Sequence, residues 1–243
     1  MARSENTGIG GRATVAVFVV AATVAGAAGC GSQDPGSGTI DINCQPAAGA
    51  MLPWATGNVW TYAVNDEGVV SMKETTIGAQ EPVGGTGPNK DVMAYKVVTA
   101  KGVMDQTISW QAPMGDSVIR YREDSFSAST GDLELEEHWD PYKLHIDGTA
   151  EHRVTGASWL MIYQETKLPV GGTPSTAEAH DRWEVLSACE SVTVPAGTFT
   201  AIYIQKVSAT GGSAKTYWYV PGVGKVKESG GQLEELISYT LAP

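Results

Sequence analysis

The chain has 243 residues, with 27 acidic and 16 basic side chains, a formal net charge of −11, 42% apolar residues, 29 Gly, 12 Pro and 3 Cys. This is globular composition with a glycine surplus, neither a disordered tail nor a collagen-like repeat. The acidity excludes nucleic-acid binding through the phosphate backbone and a polybasic grip on anionic lipid, and three cysteines are too few for a disulfide-dense mini-fold.

At the N-terminus, Arg3 and Arg12 precede sixteen residues of apolar, Ala-rich chain, Ala13 to Ala28. That is short of the ~20 residues a bilayer span needs, and the pattern is that of a cleaved export signal. The tetrapeptide Ala27-Ala28-Gly29-Cys30 resembles a bacterial lipobox, with Ala27 where Leu is commonest. The resemblance implies that Cys30 carries acyl chains of the palmitate type and becomes the first residue, giving a stable membrane anchor. Gly31 after the cysteine implies the outer membrane if the host has two. An ordinary secretory signal cut near Ala28 would instead leave Cys30 a thiol. Residues 31–38, GSQDPGSG, read as a flexible tether. With Cys30 lipidated, Cys44 and Cys189 remain to pair in an oxidising compartment, 145 residues apart. Neither lies in a CxxC nor beside a His, so a structural disulfide is expected, stabilising by roughly 4–5 kcal/mol in the chain-entropy model.

From about Met51 the chain is a succession of short alternating runs broken by turn residues. The runs are 58–64, 69–77, 92–99, 104–111, 118–126, 133–139, 144–146, 160–167, 183–194, 199–208, 215–220 and 233–241. This spacing predicts an antiparallel all-β domain: a single curved sheet, half-barrel or sandwich, with at most one or two short helices. Ser175 to Ala188 is the helix candidate, with Ser175 and Glu178 spaced as a capping box. Trp183 and Val185 favour strand in its second half. The expected organisation is 1–29 signal peptide, 30–50 lipidated cysteine and tether, 51–243 one β domain.

Two segments carry a family likeness. One is Leu52-Pro53-Trp54-Ala55-Thr56-Gly57-Asn58-Val59-Trp60-Thr61-Tyr62. The other combines Val192 to Phe199 (VTVPAGTF) with Tyr217 to Lys227 (YWYVPGVGKVK). They resemble the DUF3108-like, or TapB-like, group of bacterial envelope proteins of unknown function, over about 50 residues at both ends. The resemblance implies a curved antiparallel sheet akin to half-barrel lipid carriers. It implies no activity, since fold does not carry function. Physically, Pro195/Gly197 and Pro221/Gly222 read as turns. Gly222-Val223-Gly224-Lys225 lacks the spacing of a phosphate loop.

No GxSxG, HExxH, SxxK, DxDxDG or GxGxxG is present. The local anomaly is residues 116–151, where ten acids face Arg120, Arg122 and Lys143. His138, His145 and His152 recur there at intervals of seven. Turns at Asp140-Pro141-Tyr142-Lys143 and Asp147-Gly148-Thr149-Ala150 would make two tight hairpins and put all three imidazoles on one face, opposite Leu133, Leu135, Trp139, Leu144 and Ile146. With Glu134 or Glu136 such a face could bind Zn²⁺ or Cu²⁺; the plainer reading is a solvated polar face. The pairs Trp60/Tyr62 and Tyr217/Tyr219 each share a strand face, as sheet core or as the wall of an apolar ligand groove. The sequence therefore points to a non-enzymatic, lipid-anchored envelope protein without cofactor. It would be a binding or assembly module for an apolar small molecule or an envelope protein. The alternative is a hydrolase or metal-binding protein using the central Glu/His-rich segment.

Overall fold

The computed structural model describes residues 48–102, 104–208 and 213–243, all within one compact unit. The elements are β1 (Val59–Asp66), β2 (Val69–Pro82), β3 (Met93–Lys101), β4 (Asp105–Met114), β5 (Ser117–Phe126), β6 (Leu133–Ile146), a 3-10 helix (Ala150–Arg153), β7 (Ser158–Pro169), β8 (Ser175–Val194), β9 (Gly197–Ser208), β10 (Lys215–Val220), β11 (Gly224–Ser229) and β12 (Leu233–Thr240).

Every strand pairs antiparallel with its neighbour in the chain, and β1 closes on β12 from Val59↔Thr240 to Asn65↔Leu233. The all-β, antiparallel expectation is met. The open forms expected with it, a curved sheet, half-barrel or sandwich, are corrected to a closed twelve-stranded barrel. Alternation records which side chains face inward, but it is the same for an open and a closed sheet. Closure depends on strand number, tilt and stagger, which leave no local mark.

Two elements differ from the sequence pattern. The segment from Ser175 is one twenty-residue strand, not a helix; β8 pairs with β7 from Ser158↔Glu184 to Lys167↔Ser175. In its first half the buried residues fall at Ala179, Asp181, Trp183 and Val185, a period of two that overrides the isolated capping box. The second is β6, which runs unbroken through Asp140-Pro141-Tyr142-Lys143, where a hairpin was expected. Pro141, which has no N–H, is tolerated because no ladder donor is required at its position. The ladder with β7 ends at Asp140, and the ladder with β5 passes from His138 to Lys143. Asn89, from the β2–β3 loop, donates instead to the carbonyls of Trp139 and Pro141, at 2.9 and 2.8 Å.

The turns anticipated at the family-like segments are present: Pro195-Ala196 joins β8 to β9, and Pro221–Val223 joins β10 to β11 with Gly222 at φ 80°. The chain ahead of β1 folds into one end of the barrel. Met51 and Leu52 are buried among Val118, Ile119, Ile146 and Ile202, and Trp60 Nε1 donates to the Val223 carbonyl at 2.7 Å. A second apolar cluster gathers Trp60, Ile77, Val97, Val194, Val226 and Leu236. No helix among the described residues is long and apolar enough to cross a membrane.

Candidate functional site

The barrel encloses a cavity of about 790 Å³. Its lining is graded. Down β8 the inward residues run Ala179, Asp181, Trp183, Val185; down β9, Lys206, Ile204, Ile202; down β10, Lys215, Tyr217, Tyr219. Aromatic and apolar side chains therefore meet the end filled by Met51 and Leu52, and ionised ones the opposite end.

Eight of the chain's 16 Lys and Arg side chains face this space: Lys73, Lys101, Arg120, Lys143, Lys167, Lys206, Lys215 and Lys225. Seven carboxylates face it too: Asp105, Glu123, Glu137, Glu165, Asp181, Glu228 and Glu234. Most are paired: Arg120–Glu123 at 2.6 Å, Lys206–Asp181 at 3.1 Å, Lys225–Glu234 at 2.8 Å, Lys215–Glu228 at 3.1 Å and Lys167–Glu137 at 3.3 Å. Lys73–Glu234 and Lys225–Glu228 join Lys73, Glu234, Lys225, Glu228 and Lys215 into one five-membered network. Burial alone would lower Lys225; Glu228 and Glu234 outweigh it and hold the ammonium well above its ordinary range. Burial and the neighbouring Lys225 charge bring Lys73 down to about 8. Desolvation would raise Glu228, but Lys225 and Lys215 hold it far below the usual carboxylate range.

His145 lies in the same lumen. Burial, then the charges of Arg120, Lys225 and Lys206, push its pKa well below 6.5, so the ring is neutral at neutral pH. Its Nδ1 is 2.9 Å from Arg120 Nη2; a guanidinium only donates, so Nδ1 accepts and the ring proton sits on Nε2. Beyond it, the Trp54 ring is 5.9 Å from the imidazole, and Lys206 lies 5.3 Å over Trp183. Three donors on residues of this lining are buried without a hydrogen-bond partner among the described residues: Arg120 Nε and the indole N–H groups of Trp54 and Trp183. One acceptor is in the same state, Gln111 Oε1.

The three sequence-nominated histidines do not come together, which corrects the double-hairpin arrangement. On an unbroken β6, His138 faces outward while His145 faces the lumen, and His152 lies in the 3-10 helix. His138 Nε2 is 2.6 Å from Glu136, which also takes Arg122 at 2.6 Å; Arg122 grips Asp124 through two nitrogens. The β2–β3 loop covers this cluster so closely that a Cβ on Gly87 would lie 2.4 Å from His138 Nδ1. His152 pairs with Asp147 at 2.7 Å and stacks on Trp159 at 3.9 Å. Glu134 lies in β6 with its side chain exposed. Among the described residues no group of three or more His, Cys, Asp or Glu is arranged to hold a metal. Cys30 and Cys44 lie outside the described residues; Cys189 lies in β8 and is engaged rather than a free thiol.

The aromatic pairs Trp60/Tyr62 and Tyr217/Tyr219 do face inward, but Lys73 and Lys225 sit 5.1 and 5.3 Å over the Tyr62 ring. The lumen cations were missed by sequence reasoning. A signal for the lumen charges existed: Lys206 shares its parity with the buried Ile202 and Ile204, and Glu228 shares that of the buried Val226. The outward face of β8 carries Glu178, His180, Arg182 and Glu184 in succession, where a membrane-spanning barrel presents an apolar band.

No family model matches the chain, and no curated protein matches it. Two crystal structures do. One is of a protein assigned as exported, with a YmcC-like fold, from Bacteroides fragilis: TM-score 0.51, 11% identity, covering 80% of this chain and all of that one. The other is of a protein assigned as a lipoprotein from Parabacteroides distasonis: TM-score 0.44, 13% identity, with the same coverage. At such identity the first likeness is one of fold alone, and the second adds no argument.

Proposed function

We propose that this is an exported, lipid-anchored envelope protein whose barrel is a non-enzymatic binding module for a polar small molecule held in the lumen. The observation that carries the reading is the cavity of about 790 Å³, within the ~300–1,000 Å³ of ligand sites, walled by ion pairs and aromatic rings. An apolar ligand would have to desolvate fifteen Lys, Arg, Asp and Glu side chains without replacing their hydrogen bonds, which is costly. The hydrolase or metal alternative finds no support in the histidine geometry: His138 is buried beneath the β2–β3 loop, away from His145 and His152.

The anchor rests on Ala27-Ala28-Gly29-Cys30 and the tether after it, and Gly31 supports outer-membrane placement in a two-membrane host. The motif segments support kinship with the DUF3108-like group, and the Cys44–Cys189 disulfide belongs to the same reading. Two measurements test it. Cys30→Ser should move the protein from the membrane to the soluble fraction, and an unchanged distribution refutes the anchor. Native mass spectrometry of the protein released from its membrane should show a polar adduct; a retained lipid mass would replace the polar reading with an apolar one.

A further inference from the structure

Resting on the lumen-ligand reading above, we infer that the lumen holds a binding site for a phosphate group, free or as a monoester, gripped between two cation pairs on separate stretches of wall. Register gives the first ground. Arg120 of β5 stands directly opposite Lys143 of β6, and Lys206 of β9 directly opposite Lys215 of β10. All four side chains line the cavity. Like charges directly opposite each other on a ladder are destabilising, and this barrel keeps two such pairs on its inside. The two pairs also share one space. Burial lowers the Lys206 ammonium below its ordinary range, and the charges of Lys143 and Arg120 lower it further, against the pull of Asp181. His145 Nδ1 accepts from Arg120, and burial, then Arg120, Lys225 and Lys206, keep the ring neutral. Both pairs therefore act on the same region around His145.

The other ground is access. The side chains of Arg120 and Lys143 are 21 and 22% exposed, and those of Lys206 and Lys215 are 17 and 45% exposed. The carboxylates paired with the two lysines, Asp181 and Glu228, are only 1 and 9% exposed. On the β9–β10 wall the counter-charges thus lie behind, and an occupant meets the ammonium groups. An ammonium has three N–H donors, so each lysine keeps donors beyond the one given to its carboxylate. A phosphate brings close to two negative charges and three strong acceptor oxygens, enough to take bonds from both pairs. A carboxylate offers one charge and two oxygens on a single plane, and a neutral polyol offers no charge at all.

The test uses the full chain in phosphate-free buffer, with inorganic phosphate and glycerol 3-phosphate as probes and glycerol as the neutral control, read by isothermal titration. At least one phosphate probe should bind saturably and glycerol should not; the tighter of the two tells a free ion from a monoester. Lys143→Gln and Lys215→Gln spare the fold, because Glu165 keeps Lys167 and Glu228 keeps Lys225. Each should weaken the tighter probe about tenfold, the size of one charge-assisted hydrogen bond, with thermal melts close to wild type. Lys101→Gln removes a lumen cation that belongs to neither pair and is bonded to Gln232; it should shift the affinity by less than about twofold, as expected of a distant, screened charge. The bound anion should also raise the pH at which His145 titrates in NMR spectra, since negative charge beside the ring favours its protonated form. No saturable binding of either probe, or glycerol binding as tightly as its phosphate, overturns the site. So does an affinity unmoved in either lysine variant, a loss in Lys101→Gln as large as theirs, or an unshifted His145. A polar adduct of another mass in the native mass spectrum beside such a result would leave the lumen-ligand reading standing alone.

Discussion

Glu234 shows how this barrel keeps charge inside. Its carboxylate, 1% exposed, receives both Lys73 and Lys225. Glu234→Gln would leave two ammonium groups in a buried site with one fewer counter-charge. The expected loss is about 3–5 kcal/mol, the range for breaking a buried ion pair from one side, read from urea unfolding midpoints. His145 gives a pH dependence. Its folded pKa lies well below the unfolded 6.5. Above pH 6.5 both states are neutral there and it contributes no slope. Below 6.5 the unfolded chain takes up a proton that the folded one resists, so stability falls as pH falls. His145→Gln, which keeps an acceptor for Arg120, should flatten this loss between pH ~6.5 and ~5 in denaturation series. A slope identical to wild type would refute the assignment. At this scale the sequence shows less than it holds: the histidines stand out through their even spacing, while nothing in the sequence around Glu234 or Lys225 marks them as a buried pair.

The β2–β3 loop and β6 behave as one assembly. Arg122 donates to the Val83 carbonyl, Asn89 bonds two β6 carbonyls, and Gly85 and Gly87 lie flat over His138 and Glu136. Gly87→Ala puts a methyl against His138, so either loop or ring must yield. The expected cost is about 1–3 kcal/mol, with faster amide exchange confined to residues 83–92. Gly148→Ala is worse, because its Cβ would lie 2.1 Å from the Asp116 backbone carbonyl, which cannot rotate away. It should destabilise more than Gly87→Ala, and the reverse order in thermal melts would refute this account. Most strand positions were legible from alternation and turn residues. Residues 175–182 and the passage through Pro141 were not, because one depends on a ladder with β7 and the other on a gap in the ladders to β5 and β7.

For the molecule as a whole, cohesion depends on the joint between first and last strands. Leu236 is fully buried in the cluster that includes Trp60 and Val226. Leu236→Ala should cost about 2–5 kcal/mol, and deletion of residues 233–243 should abolish the cooperative transition rather than merely lower its midpoint. A truncated chain that still melts in one sharp step would show the barrel to be closed by something other than β12. The composition indicates an acidic globular domain, but the concentration of half the chain's cations on the inside has no trace in net charge or hydropathy. It follows from parity once the ring is closed.

The pairing of Val59 with Thr240 also sets a timetable. A chain emerging N-terminus first, from a ribosome or through a membrane pore, cannot finish this barrel until its last residues are out. Until then β1 has an unsatisfied edge and the lysine-rich interior is open to water. Hairpins can form one by one along the way, but the cup that could hold a ligand exists only after release. Any occupant of the lumen would therefore have to enter after the last strand is in place.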